Sequence, residues 1–210
     1  MSSGLSRRRI LEAFDALAGE LDRRGLRGEI FVVGGAAMAL AYSSRRATRD
    51  IDAIFEPKAA IYEAAKVVAE EQGLPDDWLN DAVKGFAPGQ DPERRIVFSR
   101  PSLEVAAASP EYLLAMKLLA SRVDQDVEDI RVLYGLCGFA TAEEGLTLLE
   151  RFYPELPLAP KTRLLLEELF GPTAATEDQI LADVDEAIGM RKQGRADCSG
   201  GRTSDLEDLD

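Results

Sequence analysis

Glu29-Ile30-Phe31-Val32-Val33-Gly34-Gly35-Ala36-Ala37, followed after a short polar loop by Thr48-Arg49-Asp50-Ile51-Asp52-Ala53-Ile54-Phe55, decides the fold of this chain. The first stretch reads as a buried strand that runs into two glycines and a small-residue helix, Ala36 to Tyr42. The second reads as an apolar strand, Asp50 to Phe55, that opens with two carboxylates one residue apart. Side chains of an extended chain alternate between faces, so Asp50 and Asp52 are expected on the same side. Two like charges held that close repel, and a hard divalent cation with oxygen ligands relieves the repulsion. A glycine pair lets backbone N–H groups approach a phosphate closely. The combination points to phosphoryl or nucleotidyl transfer.

Outward from this motif the chain divides by pattern. Ile10, Leu11, Phe14, Leu17 and Leu21 recur at helical spacing before it, and Gly25 and Gly28 end that helix. Pro57 starts a helix that Gly73 closes. Leu74 to Gln90 is loop-rich, with a short helix expected around Asp76 to Val83. Strands follow at Arg95–Ser99 and Leu103–Ala107, with Glu104 facing away from its apolar neighbours. From Ser109 onward every segment reads as helix. Ser109 caps one with Pro110 at its first position, Tyr112 to Val123 and Val127 to Cys137 follow, and Thr141-Ala142-Glu143-Glu144 is a capping box. Helices at Lys161–Phe170 and Glu177–Arg191 complete the series. The expected organisation is an α/β (α+β) core over 1–108, a mixed sheet with flanking helices. A helical region over 109–192 packs on it, and an acidic, disordered tail occupies 193–210.

Composition narrows the chemistry. The 210 residues contain no histidine, which removes Ser-His-Asp and Cys-His catalysis and histidine-ligated zinc. The two cysteines form neither a disulfide framework nor a thiolate site. The net charge of −13 argues against nucleic-acid binding by the whole surface. The first fifty residues are nevertheless arginine-rich, from Arg7-Arg8-Arg9 to Arg45, Arg46 and Arg49. That rim suits a polyanionic ligand and equally an ordinary basic helix face. No apolar run reaches the length of a membrane span, and the N-terminus lacks a signal peptide's apolar core, so a cytoplasmic protein without membrane association is expected.

A dinucleotide-binding fold also uses a strand, glycines, a helix and a later acid. Its fingerprint needs G-x-G-x-x-G, and here Ala36 stands at the third position. The ordered set Gly34-Gly35, then Thr48-Arg49-Asp50-Ile51-Asp52, instead resembles the minimal nucleotidyltransferases of the DNA polymerase β-like superfamily. Within it the chain most resembles the toxins of abortive-infection type IV toxin–antitoxin systems (AbiEii-like) and related uncharacterised nucleotidyltransferases. The resemblance is most specific over residues 30–55. It continues more loosely through Ser109–Lys117 to Arg122, Asp124, Asp126 and Asp129.

The resemblance implies a reaction and a site. A nucleoside monophosphate passes from an NTP to an acceptor hydroxyl, with Asp50 and Asp52 holding Mg²⁺. A third carboxylate on a later strand is best placed at Glu104, which reads equally as an exposed strand residue. Gly34 and Gly35 would cradle phosphates at the helix N-terminus. Many active members have Gly-Ser there, so Ser43 or Ser44 is a candidate for the missing hydroxyl. Arg49 and Lys117 would neutralise the triphosphate, with Asp124 orienting Lys117 from two turns along one helix. Lys117 also reads as the solvated stripe of an amphipathic helix. Arg122, Asp126 and Asp129 read as a salt-bridged surface cluster. The acceptor stays open among tRNA, a protein hydroxyl and a small molecule, and a cognate antitoxin is a partner implied by resemblance alone. A catalytically degenerate fold that binds nucleotide or protein is the alternative.

Overall fold

The computed structural model describes residues 4–42, 47–120 and 123–171, the side chains of 123–125 excepted. Ser43, Ser44, Arg45, Arg46, Arg122, the Asp124 side chain, the Glu177–Arg191 helix and the 193–210 tail lie outside the described residues. Met1–Pro172 form one compact unit.

The chain opens with β1 (Leu5–Ser6) and α1 (Arg7–Arg23), then β2 (Gly28–Val32) and α2 (Gly34–Ala37), which continues into a π-helical turn over Met38–Tyr42. Next come β3 (Ala47–Thr48), β4 (Ile51–Glu56), α3 (Lys58–Gln72), β5 (Leu79–Asn80) and a 3₁₀ turn, Ala82–Gly85. A hairpin of β6 (Arg95–Arg100) and β7 (Leu103–Ala107) precedes α4 (Pro110–Ala120), α5 (Val123–Cys137), α6 (Ala142–Phe152) and α7 (Pro160–Phe170). The main sheet has the order β5-β4-β2-β7-β6. In it β2 runs antiparallel to β4 and parallel to β7, β6 antiparallel to β7, and β4 parallel to β5. This is the expected mixed sheet with flanking helices and a helical C-terminal part.

Alternation along the strands separates the two sheet faces. Ile30, Val32, Ile51, Ala53, Phe55, Leu103 and Val105 are buried under Ile10, Phe14, Leu17 and Leu21 of α1 and Ile61, Ala64 and Val68 of α3. Ser102 fastens this layer by donating its hydroxyl to the Ala18 carbonyl at 2.8 Å. The other face carries Glu29, Phe31, Asp52, Ile54, Glu56 and Glu104, none of them fully buried. Tyr112 of α4 packs edge-on against Phe31 there, with ring centroids 5.3 Å apart. Among the C-terminal helices, Gly145 of α6 is fixed by space. A Cβ at that position would lie 1.9 Å from the Tyr134 hydroxyl oxygen.

The helix starts follow the sequence signals. Ser109 Oγ accepts from the Tyr112 N–H at 3.3 Å, and Thr141 and Glu144 form a complete capping box. One helix differs from the expectation: α5 is already helical at Val123, ahead of the expected start at Val127. The turn before Val127 is polar, so apolar periodicity did not mark it. The strands β1, β3 and β5 have two residues each, too few for alternation to show.

Candidate functional site

β2 ends where Val33 leaves the strand, and Gly34 takes φ +60, a left-handed conformation that favours glycine. A Cβ on Gly34 would lie 3.3 Å from Asp52 Oδ2. A Cβ on Gly35 would lie 2.9 Å from Thr48 Oγ1. The glycines therefore bring the first turn of a helical run, Gly34–Tyr42, against Asp52 and Thr48. The Thr48 hydroxyl fills the space beside Gly35 and donates to the Asp50 carbonyl at 3.0 Å. First-turn N–H groups have no intrahelical acceptor, so this is the natural place for an anionic oxygen.

β4 begins at Ile51, and Arg49 and Asp50 form a bend before it. Strand alternation therefore places Asp52 but not Asp50. Asp52 lines a cavity of about 960 Å³ with Gly34, Gly35, Thr48 and the exposed Arg49. Asp50 is half-buried at the edge of that turn. The Val33 N–H donates to the Asp52 carbonyl at 3.0 Å, which fixes the acid-bearing strand end to the glycine turn.

Glu104 is not brought to this place. β2 and β7 run parallel with Glu104 opposite Glu29, and Glu29 lies opposite Glu56 on β4. Asp52 is level with Val33 instead, four residues further along β2, or roughly 13 Å at the usual rise per residue. The end of β7 nearest Asp52 carries Ala106, Ala107 and Ala108. The alternation that led to Glu104 identified its face correctly and left its position along the strand undetermined.

Lys117 reaches the same cavity from α4 and is 13 % exposed. Its ammonium is held by Asp126 at 2.6 Å and Asp129 at 2.7 Å, both from α5, whose side chains are 13 % and 7 % exposed. The described acids beside Lys117 are thus Asp126 and Asp129. This corrects one expectation: Asp126 and Asp129 are not a surface cluster but line the cavity. The i, i+3 spacing of these acids, one helix after a lysine in an apolar run, was the available signal.

The remaining lining comes from Val83 and Phe86 at the 3₁₀ turn, Leu113, Met116 and Leu119 of α4, and Leu156 beyond α6. Asp81 ties the 3₁₀ turn to α3. Tyr62 donates to its carboxylate at 2.6 Å, Lys58 pairs with it, and these hydrogen bonds hold its carboxyl below the usual range. The described polar lining has three carboxylates against Lys117 and Arg49, and all its anionic donors are oxygen. Among the described residues no three carboxylates converge on one point. That donor set fits Mg²⁺, which takes one or two carboxylates and completes its shell with phosphate oxygens and water. Among the described residues no helix is long and apolar enough to cross a membrane.

A family model described as a nucleotidyltransferase of unknown function (DUF6036) matches residues 9–136. The matched stretch includes the glycine turn, both aspartates of the motif, Lys117, Asp126 and Asp129. No curated protein and no solved structure matches the chain.

Proposed function

The chain belongs to this nucleotidyltransferase family, and from that premise we propose a Mg²⁺-dependent transfer of a nucleoside monophosphate from an NTP to an acceptor hydroxyl. The carrying observation is that one cavity collects Gly34, Gly35, Asp52 and Lys117 from two strand ends and a separate helix. Asp52, with Asp50 at the adjoining bend, would hold the ion. Bound there, Mg²⁺ supplies Lewis-acid stabilisation of charge on the transferring phosphoryl oxygens. The glycine turn offers N–H donors to the phosphates, and its lack of side chains lets them come close. An ammonium has three donors; two of Lys117's meet Asp126 and Asp129, which aim the third toward a phosphate oxygen. Arg49 adds a cation at the exposed rim.

Three acids in the lining also explain why a cation must accompany the triphosphate, since a bare polyanion would be repelled. The acceptor we favour is an RNA hydroxyl such as that of tRNA, in keeping with the likeness to AbiEii-like toxins; a protein hydroxyl or a small molecule are the competing outcomes. An antitoxin partner belongs to the same likeness. A second reading, a nucleotide-binding module without catalysis, draws support from the displacement of Glu104. Titration of Mg²⁺ and each NTP into wild type and Asp52→Ala, followed by incubation with labelled NTP and total tRNA, protein or small acceptors, separates the two. Metal-dependent binding lost in the variant, with label transferred by the wild type, supports the enzyme. Binding without transfer to any acceptor supports the module, and no binding by the wild type defeats both.

A further inference from the structure

We propose that Phe86 is a stacking platform for a nucleobase in this cavity, a reading that rests on nucleotidyl transfer and names the residue that distinguishes a nucleotide from a bare polyphosphate. Phe86 is 66 % exposed, and among the described residues it is the one aromatic among the exposed large apolar side chains. A ring so placed adds little to the core. Its backbone is nevertheless held from two directions. The Phe86 N–H donates to the Val83 carbonyl at 2.9 Å, and the Tyr153 hydroxyl donates to the Phe86 carbonyl at 2.8 Å. Burial pushes the Tyr153 phenol up, so it stays protonated and remains a donor at neutral pH.

Tyr153 also organises the neighbouring apolar rim. Its carbonyl accepts from the Leu156 N–H at 3.1 Å, and Leu156 lines the cavity while 48 % exposed. Two apolar side chains from distant parts of the sequence are thus presented at one cavity by one tyrosine. The same cavity contains Gly34, Asp52 and Lys117, the groups suited to a metal-bound triphosphate. Its volume of about 960 Å³ lies in the range of small-molecule sites and admits a whole nucleotide. A flat aromatic face stacks any base, which gives affinity with little base selectivity. The base belongs either to the incoming NTP or to the terminal nucleotide of an acceptor strand.

The test measures binding by the full chain, with Mg²⁺ present, of each NTP, of inorganic tripolyphosphate and of a short single-stranded oligoribonucleotide. Phe86→Ala is expected to weaken a base-bearing ligand by about tenfold while tripolyphosphate binding stays within twofold, and Phe86→Trp is expected to retain the affinity. Thermal unfolding of both variants confirms that the fold is kept. Loss confined to NTPs assigns the platform to the incoming nucleotide; loss confined to the oligoribonucleotide assigns it to the acceptor. Unchanged binding of every base-bearing ligand, or equal loss of tripolyphosphate, overturns the proposal. A wild type that binds neither NTP nor tripolyphosphate overturns the nucleotidyl-transfer reading instead.

Discussion

At one end of the less covered sheet face, Asp52 stands beside a glycine turn and shares a cavity of about 960 Å³ with Lys117, Asp126 and Asp129. At the other end Glu56, Glu29 and Glu104 stand in one row across β4, β2 and β7, in a hollow of about 280 Å³ shared with Arg94. Both ends are rich in carboxylates, so acid content does not separate them. The difference lies in what converges. The glycine turn removes side chains where the proposed phosphate would approach, and two helices deliver a lysine restrained by its own pair of acids. The glutamate row has two exposed members, Glu29 and Glu56, where water solvates the charge. Like charges opposite one another on adjacent strands cost stability, so this row is a tolerated surface feature.

Asp52→Ala should produce the largest effect: transfer of labelled nucleoside monophosphate should fall about a thousandfold, several kcal/mol of lost transition-state stabilisation. Its melting temperature should change little, because the acid is only half-buried. Lys117→Met comes next and acts on folding as well as binding. It takes from Asp126 and Asp129 the ammonium that holds both in a poorly solvated place, with an expected loss of about 3 kcal/mol in denaturant unfolding.

A smaller, pH-dependent effect is expected for Asp81→Asn. The depressed carboxyl of Asp81 adds stability above the ordinary aspartate value, about 3.9, and that stability is lost as pH falls through the folded value. The stability gap between wild type and variant should therefore be full near neutrality and close on acidification below about pH 4. Glu104→Gln should do least. Transfer should stay within about twofold, and stability should rise by about 0.5 kcal/mol as repulsion from Glu29 is relieved. Loss of transfer in Glu104→Gln comparable to that in Asp52→Ala would erase the distinction between the two ends.

The features set by local sequence were legible: the glycine turn, the strand bearing Asp52, the Ser109 cap and the Thr141–Glu144 box. Those set by pairing were not. Glu104 looks eligible because alternation gives a residue's face, while its level depends on parallel pairing with a strand far away in sequence. Asp50 lost its place in the alternation because β4 starts one residue later, in a bend that Thr48 stabilises. Lys117 was readable as an unusual lysine in an apolar helix, but its partners depended on how α5 packs beside α4. Phe86 gave no signal, since an aromatic in a loop-rich stretch most often packs inward.

The strand order has a consequence for the path by which the chain reaches this state. The central strand β2 meets β4 across a short intervening segment, but meets β7 only after α3, β5 and the β6–β7 hairpin have been traversed. Closing the longer loop is the slower event, because its entropy must be spent before its contacts form. Asp52 and Gly34 are therefore expected to adjoin early, and Lys117 to join them only once β7 has docked and carried α4 into place. Acquisition of the proposed triphosphate affinity during refolding should thus trail the formation of secondary structure and serve as a clock for the last step of assembly.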